Sequence, residues 1–475
     1  MPLRNLAWLL IVPALVALGL AIGYSAPRPD TDFDRVRRLV DVMSEVDTNF
    51  YRKLTDEEWK QFTEDMANGG LQRLDRNSEY LNAAQLKQFE AETEGSFGGI
   101  GIVLAIDQPT KFLKVDHPLP GTPAYEAGII AGDLIVRVGD KSTENTTVPD
   151  ARKLITGEPG TQITLTVRRP GRVPLDQDVA LTRARVAQHP VSGVLRRADD
   201  PTKWEWFADR PAGIGYVRVT GFNDLTTKEL KAAVDEIERG SGKGLIIDLR
   251  GNPGGLLTQS VDVANLFLPE GKPIVATRGR DPGKSREFKA EKDREVFRGR
   301  PIVVLVDEHS ASASEIVAAA LQDHQRATII GERTYGKGSV QKLLRLGGEG
   351  DQKAAVKLTT ETYWRPNGQN MDKKLATKEK PDEWGVRPDV LVPMTLDEKE
   401  RSAWDYYRAQ WVAGKPSVVG PNPPAAPVPK APGSMVHSLR ALVSPGAPPL
   451  PSSAKPAEDV QLKVAVAELK KKIGG

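Results

Sequence analysis

Gly244-Leu245-Ile246-Ile247-Asp248-Leu249-Arg250-Gly251-Asn252-Pro253-Gly254-Gly255 runs apolar without alternation as far as Asp248 and then breaks into glycines. A strand apolar on both sides is buried on both faces, and that indicates a parallel sheet between helical layers. The same texture recurs outward from it. Ile214 to Val219 and Pro301 to Val306 read as strands, and Ala327 to Ile330 as a shorter one. Thr227 to Arg239 and Ser312 to Gln322 read as the intervening helices. From about Val186 to Asp389 the chain therefore spells an α/β core with a mostly parallel sheet, the largest core available and the natural place for chemistry.

The chain has no cysteine, so thiolate catalysis, disulfides and cysteine-bound metals are excluded by inventory. Nucleophiles must be Ser, Thr, Lys or carboxylates. Ser310-Ala311-Ser312-Ala313-Ser314-Glu315 joins the end of a strand to the start of a helix, where free N–H groups accompany an exposed serine. The same fragment reads equally as a capping box, Ser312 with Glu315. Thr334-Tyr335-Gly336-Lys337-Gly338-Ser339-Val340-Gln341 places a lysine between two glycines. A lysine serving as general base must be held neutral by burial. The alternatives are a plain glycine turn with a surface lysine or a phosphate loop, but the Walker spacing is missing. The glycines after Asp248 permit backbone N–H groups to face a ligand, or simply form a turn.

These three fragments, in this order, resemble the carboxyl-terminal processing (tail-specific) protease family, together with Gly385-Val386-Arg387-Pro388-Asp389 near the end of the core. The resemblance covers roughly residues 35 to 400. It implies a Ser-Lys serine endopeptidase in which Ser312 is the nucleophile, Lys337 the base and Gln341 the residue that orients the lysine. It further implies an oxyanion hole from the N–H of Ala313 and of Gly254 or Gly255. Ser310 and Ser314 are the fallback nucleophiles, and His309 offers a Ser-His alternative. The stretch from Met371 to Glu383 departs from the family's usual route, as does a proline-rich insertion near the C-terminus.

Short β-branched runs near 100–106, 112–116, 133–138, 162–168 and 178–183, with a helix near Pro149 to Thr156, form a β-rich module over 97–183. It resembles a PDZ domain. Gly99-Ile100-Gly101-Ile102 looks like the loop whose N–H groups capture a terminal carboxylate, and Pro123 to Asp133 like the accompanying helix and turn. Such a module adds an extended peptide to a sheet edge. The expected fold is thus an α/β protease core with a mostly parallel sheet, an inserted β-rich PDZ-like domain and a helical N-terminal region over 30–95. The expected substrates are proteins with disordered, apolar C-termini.

At the N-terminus, Arg4 precedes an apolar run from Leu6 to Tyr24. That length suits a membrane anchor or the core of a cleaved signal peptide. Both imply export, with the body on the periplasmic or outer face of the cytoplasmic membrane. Residues 416–456 hold 12 prolines and read as a semi-rigid linker, with a transient helix near Val436 to Val443. Asp459 to Ile473 reads as an amphipathic terminal helix. Net charge is only +3, from 66 basic and 63 acidic residues, so nucleic acid is not an expected partner. No cofactor or metal is expected; an activating adaptor and a homo-oligomer are allowed for. The rival readings are a catalytically silent PDZ scaffold of the cell envelope, and a structural envelope protein that oligomerises through its terminal helix.

Overall fold

The computed structural model describes residues 31–169, 176–347, 353–376, 380–415 and 459–474, with side chains from residue 36. The N-terminal apolar run and the proline-rich segment, with the helix expected near Val436 to Val443, lie outside the described residues. The chain divides into two compact units at Arg76. The first holds helices Thr31–Asn49 and Asp56–Leu74. Thr55 and Glu58 close the second helix with a reciprocal capping box. A third helix of the region expected to be helical, Ala83–Glu94, belongs to the second unit, behind a short strand, Glu79–Leu81.

The second unit is built on a seven-stranded sheet. Its spatial order is Val191–Ser192, Ile214–Val219, Gly244–Asp248, Ile302–Val306, Ala327–Gly331 and Val390–Leu391, with Phe207–Asp209 beside Ile214–Val219. The four junctions from Ile214–Val219 to Val390–Leu391 are parallel; the two added at the first edge are antiparallel. Because spatial order follows chain order and such crossovers are right-handed, successive helices must lie on one face. Thr226–Arg239, Leu257–Asn265 and Ala313–Asp323 do so, packing with Val217, Leu245 and Val304 in one core.

The opposite face must then be covered by something else. The terminal helix, Val460–Gly474, covers it: Ala465 and Leu469 are fully buried against Tyr216, Ile246, Val303 and Leu305. The apolar stripe of this amphipathic helix is therefore consumed within the chain. Its first turn is pinned by Arg250, which donates to Asp459 Oδ1 at 3.0 Å and Gln461 Oε1 at 3.2 Å.

A second, antiparallel sheet escaped the sequence reading. It runs Glu79–Leu81, Ala354–Trp364, Pro273–Gly279 and Arg286–Lys289, with Ser339–Leu346 paired along Ala354–Trp364. The lysine-bearing loop feeds directly into this sheet.

The β-rich domain forms a six-stranded sheet with Ile102–Ile106 at one edge, followed by Leu113–Pro118, Leu134–Val138, Gln162–Arg168 and Asp176–Thr182. Lys141–Ser142 pairs with Leu134–Val138, and helix Val148–Ile155 packs through Ala151 and Ile155. Asp133, in the glycine turn after the first short helix, is buried. It takes Arg169 Nε at 2.6 Å and Nη2 at 2.5 Å.

Candidate active site

The site lies at the carboxyl ends of the parallel strands, where chain leaving the sheet is free of ladder bonds. Strand Gly244–Asp248 ends in a buried charge cluster. Burial pushes the Asp248 carboxyl up, but the charges of Arg250 and Arg218 and bonds from Arg250 and Tyr216 outweigh it and hold it well below the carboxylate range. Beyond it, Asn252 is fully buried. Its Nδ2 donates to Val219 O at 2.8 Å and its Oδ1 accepts the Gly254 N–H at 2.9 Å.

The serine-rich turn is laced to this loop. Ser310 Oγ donates to Leu249 O at 2.8 Å, and Ser314 Oγ to Asn252 O at 3.0 Å. The Ala311 N–H reaches the same Asn252 carbonyl. Both flanking hydroxyls are thus spent on main-chain carbonyls in fully buried positions. Ser312 between them differs. It adopts φ 54°, ψ −111°, a left-handed conformation costly for a residue with a Cβ, at the N-cap of helix Ala313–Asp323. Its side chain lies beside Tyr363; burial pushes that phenol up to about 12, and the nearby Ser312 hydroxyl pulls the other way.

The lysine loop arrives at the same place through one carboxylate. Glu315 is fully buried. It accepts from the Ser312 N–H at 2.8 Å, the Lys337 N–H at 2.9 Å, the Gly336 N–H at 2.8 Å and Thr334 Oγ1 at 2.6 Å. Its Oε2 takes the amides of Ser312 and Lys337 together. Burial pushes the Glu315 carboxyl above its ordinary value, against the pull of these four donors. Thr334 Oγ1 also accepts the Val386 N–H at 2.7 Å, tying in the closing segment. Lys337 itself is half-buried.

Gln341, on strand Ser339–Leu346, donates from Nε2 to Ser339 Oγ at 3.0 Å and to Thr359 Oγ1 at 2.9 Å. Its carbonyl oxygen is the group that remains to accept from a cation. Gly254 lies against the serine turn: a Cβ there would meet Ala311 O at 2.8 Å, Ser312 Cβ at 2.9 Å and the Ala313 nitrogen at 3.1 Å. The N–H groups of Ala313 and Gly255 have no acceptor among the described residues. His309 is exposed, with Glu308 as its ion-pair neighbour at 3.8 Å. No cluster of metal-ligating side chains occurs among the described residues.

Tyr363 and the joining role of Glu315 were missed in sequence. Glu315 was visible only as a cap, and Tyr363 lies in a strand 51 residues beyond Ser312 with no motif around it.

A second site surrounds Gly99 to Ile102. Ile100 is buried, Gly101 has φ +76°, and the N–H groups of both lack acceptors among the described residues. A cleft of about 630 Å³ runs from this loop past Ile102 and helix residues Val148 and Arg152 to the core residues Ser192 and Arg196.

Residues 213–392 match the model of peptidase family S41, and residues 115–169 that of the PDZ domain. The chain is similar to the carboxy-terminal-processing protease of Bartonella bacilliformis, 36% identical over 374 residues, 77% of each chain. It is also similar to the carboxy-terminal processing protease CtpA of Bacillus subtilis, 31% identical over 397 residues, 81% of this chain and 76% of that one. Among solved structures it resembles the photosystem II D1 C-terminal processing protease at 29% identity and a TM-score of 0.39, covering 74% of this chain and 86% of that one.

Proposed function

This chain belongs to peptidase family S41, among the carboxy-terminal processing proteases, and from that premise we propose that it is a Ser-Lys endopeptidase cutting proteins near unstructured, apolar C-terminal tails. The observation that carries the catalytic reading is the Glu315 carboxylate, which holds the backbone of Ser312 and of Lys337 on one oxygen.

In the mechanism, the neutral Lys337 amine takes the proton from Ser312 Oγ as that oxygen bonds to the scissile carbonyl carbon. Gln341 Oε1 orients the amine. The oxyanion is received by the N–H of Ala313 and that of Gly255, because the Gly254 N–H is committed to Asn252. Gly254 instead lets the loop approach the serine turn, where any Cβ would collide. Collapse breaks the C–N bond, with the lysine ammonium protonating the departing amine. Water, deprotonated by the same lysine, then hydrolyses the ester. Tyr363 positions the Ser312 hydroxyl.

The PDZ-like domain supplies tail recognition. A peptide adds to the free edge of Ile102–Ile106, with its terminus at the N–H groups of Gly99, Ile100, Gly101 and Ile102. The Arg4 head and the following apolar run support an exported body, periplasmic or at the outer face of the cytoplasmic membrane.

The test is a folded reporter carrying a disordered apolar tail, compared with the same reporter with a charged tail or none. Tail-dependent cleavage, absent in Ser312→Ala, is expected. Equal cleavage of all three reporters would refute the recognition step, and cleavage by Ser312→Ala the chemical one.

A further inference from the structure

The wall of the cleft that faces the carboxylate loop belongs to the protease core. On it, hairpin strands Leu195–Arg196 and Trp204–Glu205 pair so that Arg196 lies opposite Trp204. The Arg196 guanidinium stacks on that indole at 3.9 Å, and its Nη1 donates to Thr202 O at 3.3 Å. Its Nε is buried without an acceptor, and no carboxylate among the described residues lies within ion-pair distance of the side chain. Ser192, 4% exposed on the neighbouring strand, also has an Oγ without a partner. Both residues line the cleft with Gly99, Ile100, Gly101 and Ile102.

Two buried, unpartnered polar atoms on one wall are costly, and a guanidinium without a counter-ion is the costlier. Burial pulls Arg196 down to about 10, opposed by the Tyr406 phenol. The indole fixes the plane of the guanidinium, so the edge carrying Nη2 is pre-set for a planar acceptor, with Nε beneath it closed to solvent until the side chain shifts. A chain-terminal carboxylate has that shape and charge, and the loop opposite presents the unused N–H groups of Ile100 and Gly101.

We infer that Arg196, with Ser192, forms the core-side half of the binding site for the terminal carboxylate of the bound tail. This rests on the tail-recognition reading above and makes Arg196 a specificity-determining residue. It ties the tail to both domains at once, and selects a free chain end over an internal loop.

The test uses the full chain carrying Ser312→Ala, so that peptide is bound and not cut. Anisotropy is followed with a fluorescein-labelled peptide ending in Leu-Ala-Ala, as the free acid and as the C-terminal amide. The free acid should bind more tightly than the amide. Adding Arg196→Gln should weaken the free acid about tenfold and leave the amide unchanged, erasing the preference. Arg196→Lys, which keeps charge but loses the planar fork, should fall between. An unchanged preference in Arg196→Gln would overturn the inference while leaving tail recognition standing. Equal loss of acid and amide in Arg196→Gln would also overturn it, marking a packing role. Absence of binding by either peptide to the chain with Arg196 intact would instead overturn tail recognition itself.

Discussion

Ser310, Ser312 and Ser314 share one turn and one chemistry, yet their surroundings divide them. The outer two donate to buried carbonyls of the glycine loop, and only Ser312 takes the strained backbone beside Tyr363. Ser310→Ala and Ser314→Ala each remove one of two donors to a buried carbonyl, which keeps its main-chain N–H partner, and should each cost about 1 kcal/mol of stability, read as a lowered midpoint in urea, while retaining turnover. Tyr363→Phe removes the hydroxyl beside the nucleophile and should lower kcat about fivefold with little change in KM. Gly254→Ala should abolish turnover in a folded chain, since its Cβ would press on Ala311 O and Ser312 Cβ. The sequence offered three serines without ranking them by geometry; the family resemblance selected the middle one. The difference rests on bonds to residues some 60 positions away, which no local pattern records.

At the level of elements, four of the parallel strands and the helices Thr226–Arg239 and Ala313–Asp323 were legible as apolar runs of one period, whereas helix Leu257–Asn265 and the two-residue strand Val390–Leu391 were not read. The second sheet was not, since Ser339–Leu346 and Ala354–Trp364 mix charged residues and threonines with their apolar ones, the first being half exposed and the second mostly half-buried. The terminal helix was legible as a helix but not as a layer, for its partner surface comes from strands more than 100 residues earlier. Leu469→Ala should cost about 3 kcal/mol by leaving a cavity against Ile246 and Leu305. Its anchor is pH-dependent. The Asp248 carboxyl is held low in the fold, so its stabilisation is present above the unfolded value of about 3.9 and is lost as pH falls through the lower folded value. The gap in melting temperature between the parent and Asp248→Asn should therefore be wide at neutral pH and narrow below about pH 4.

For the whole molecule, the core and the β-rich domain meet at the cleft, and one face of that cleft carries the tail-binding loop. A Cβ at Gly101 would meet Thr122 at 2.3 Å. Gly101→Ala should thus raise KM about tenfold for a tailed substrate and leave the kcat for a tailless peptide unchanged. The two-domain plan was legible from glycine spacing and strand texture. The wall built by Arg196 and Trp204 was not, because nothing in the sequence says which face the 195–205 hairpin presents. The most direct measurement follows degradation of an apolar-tailed protein by mass spectrometry, using the parent chain, Ser312→Ala and Lys337→Ala. Cleavage by the parent and none by either variant is the predicted result. Cleavage that survives Ser312→Ala or Lys337→Ala would contradict the account.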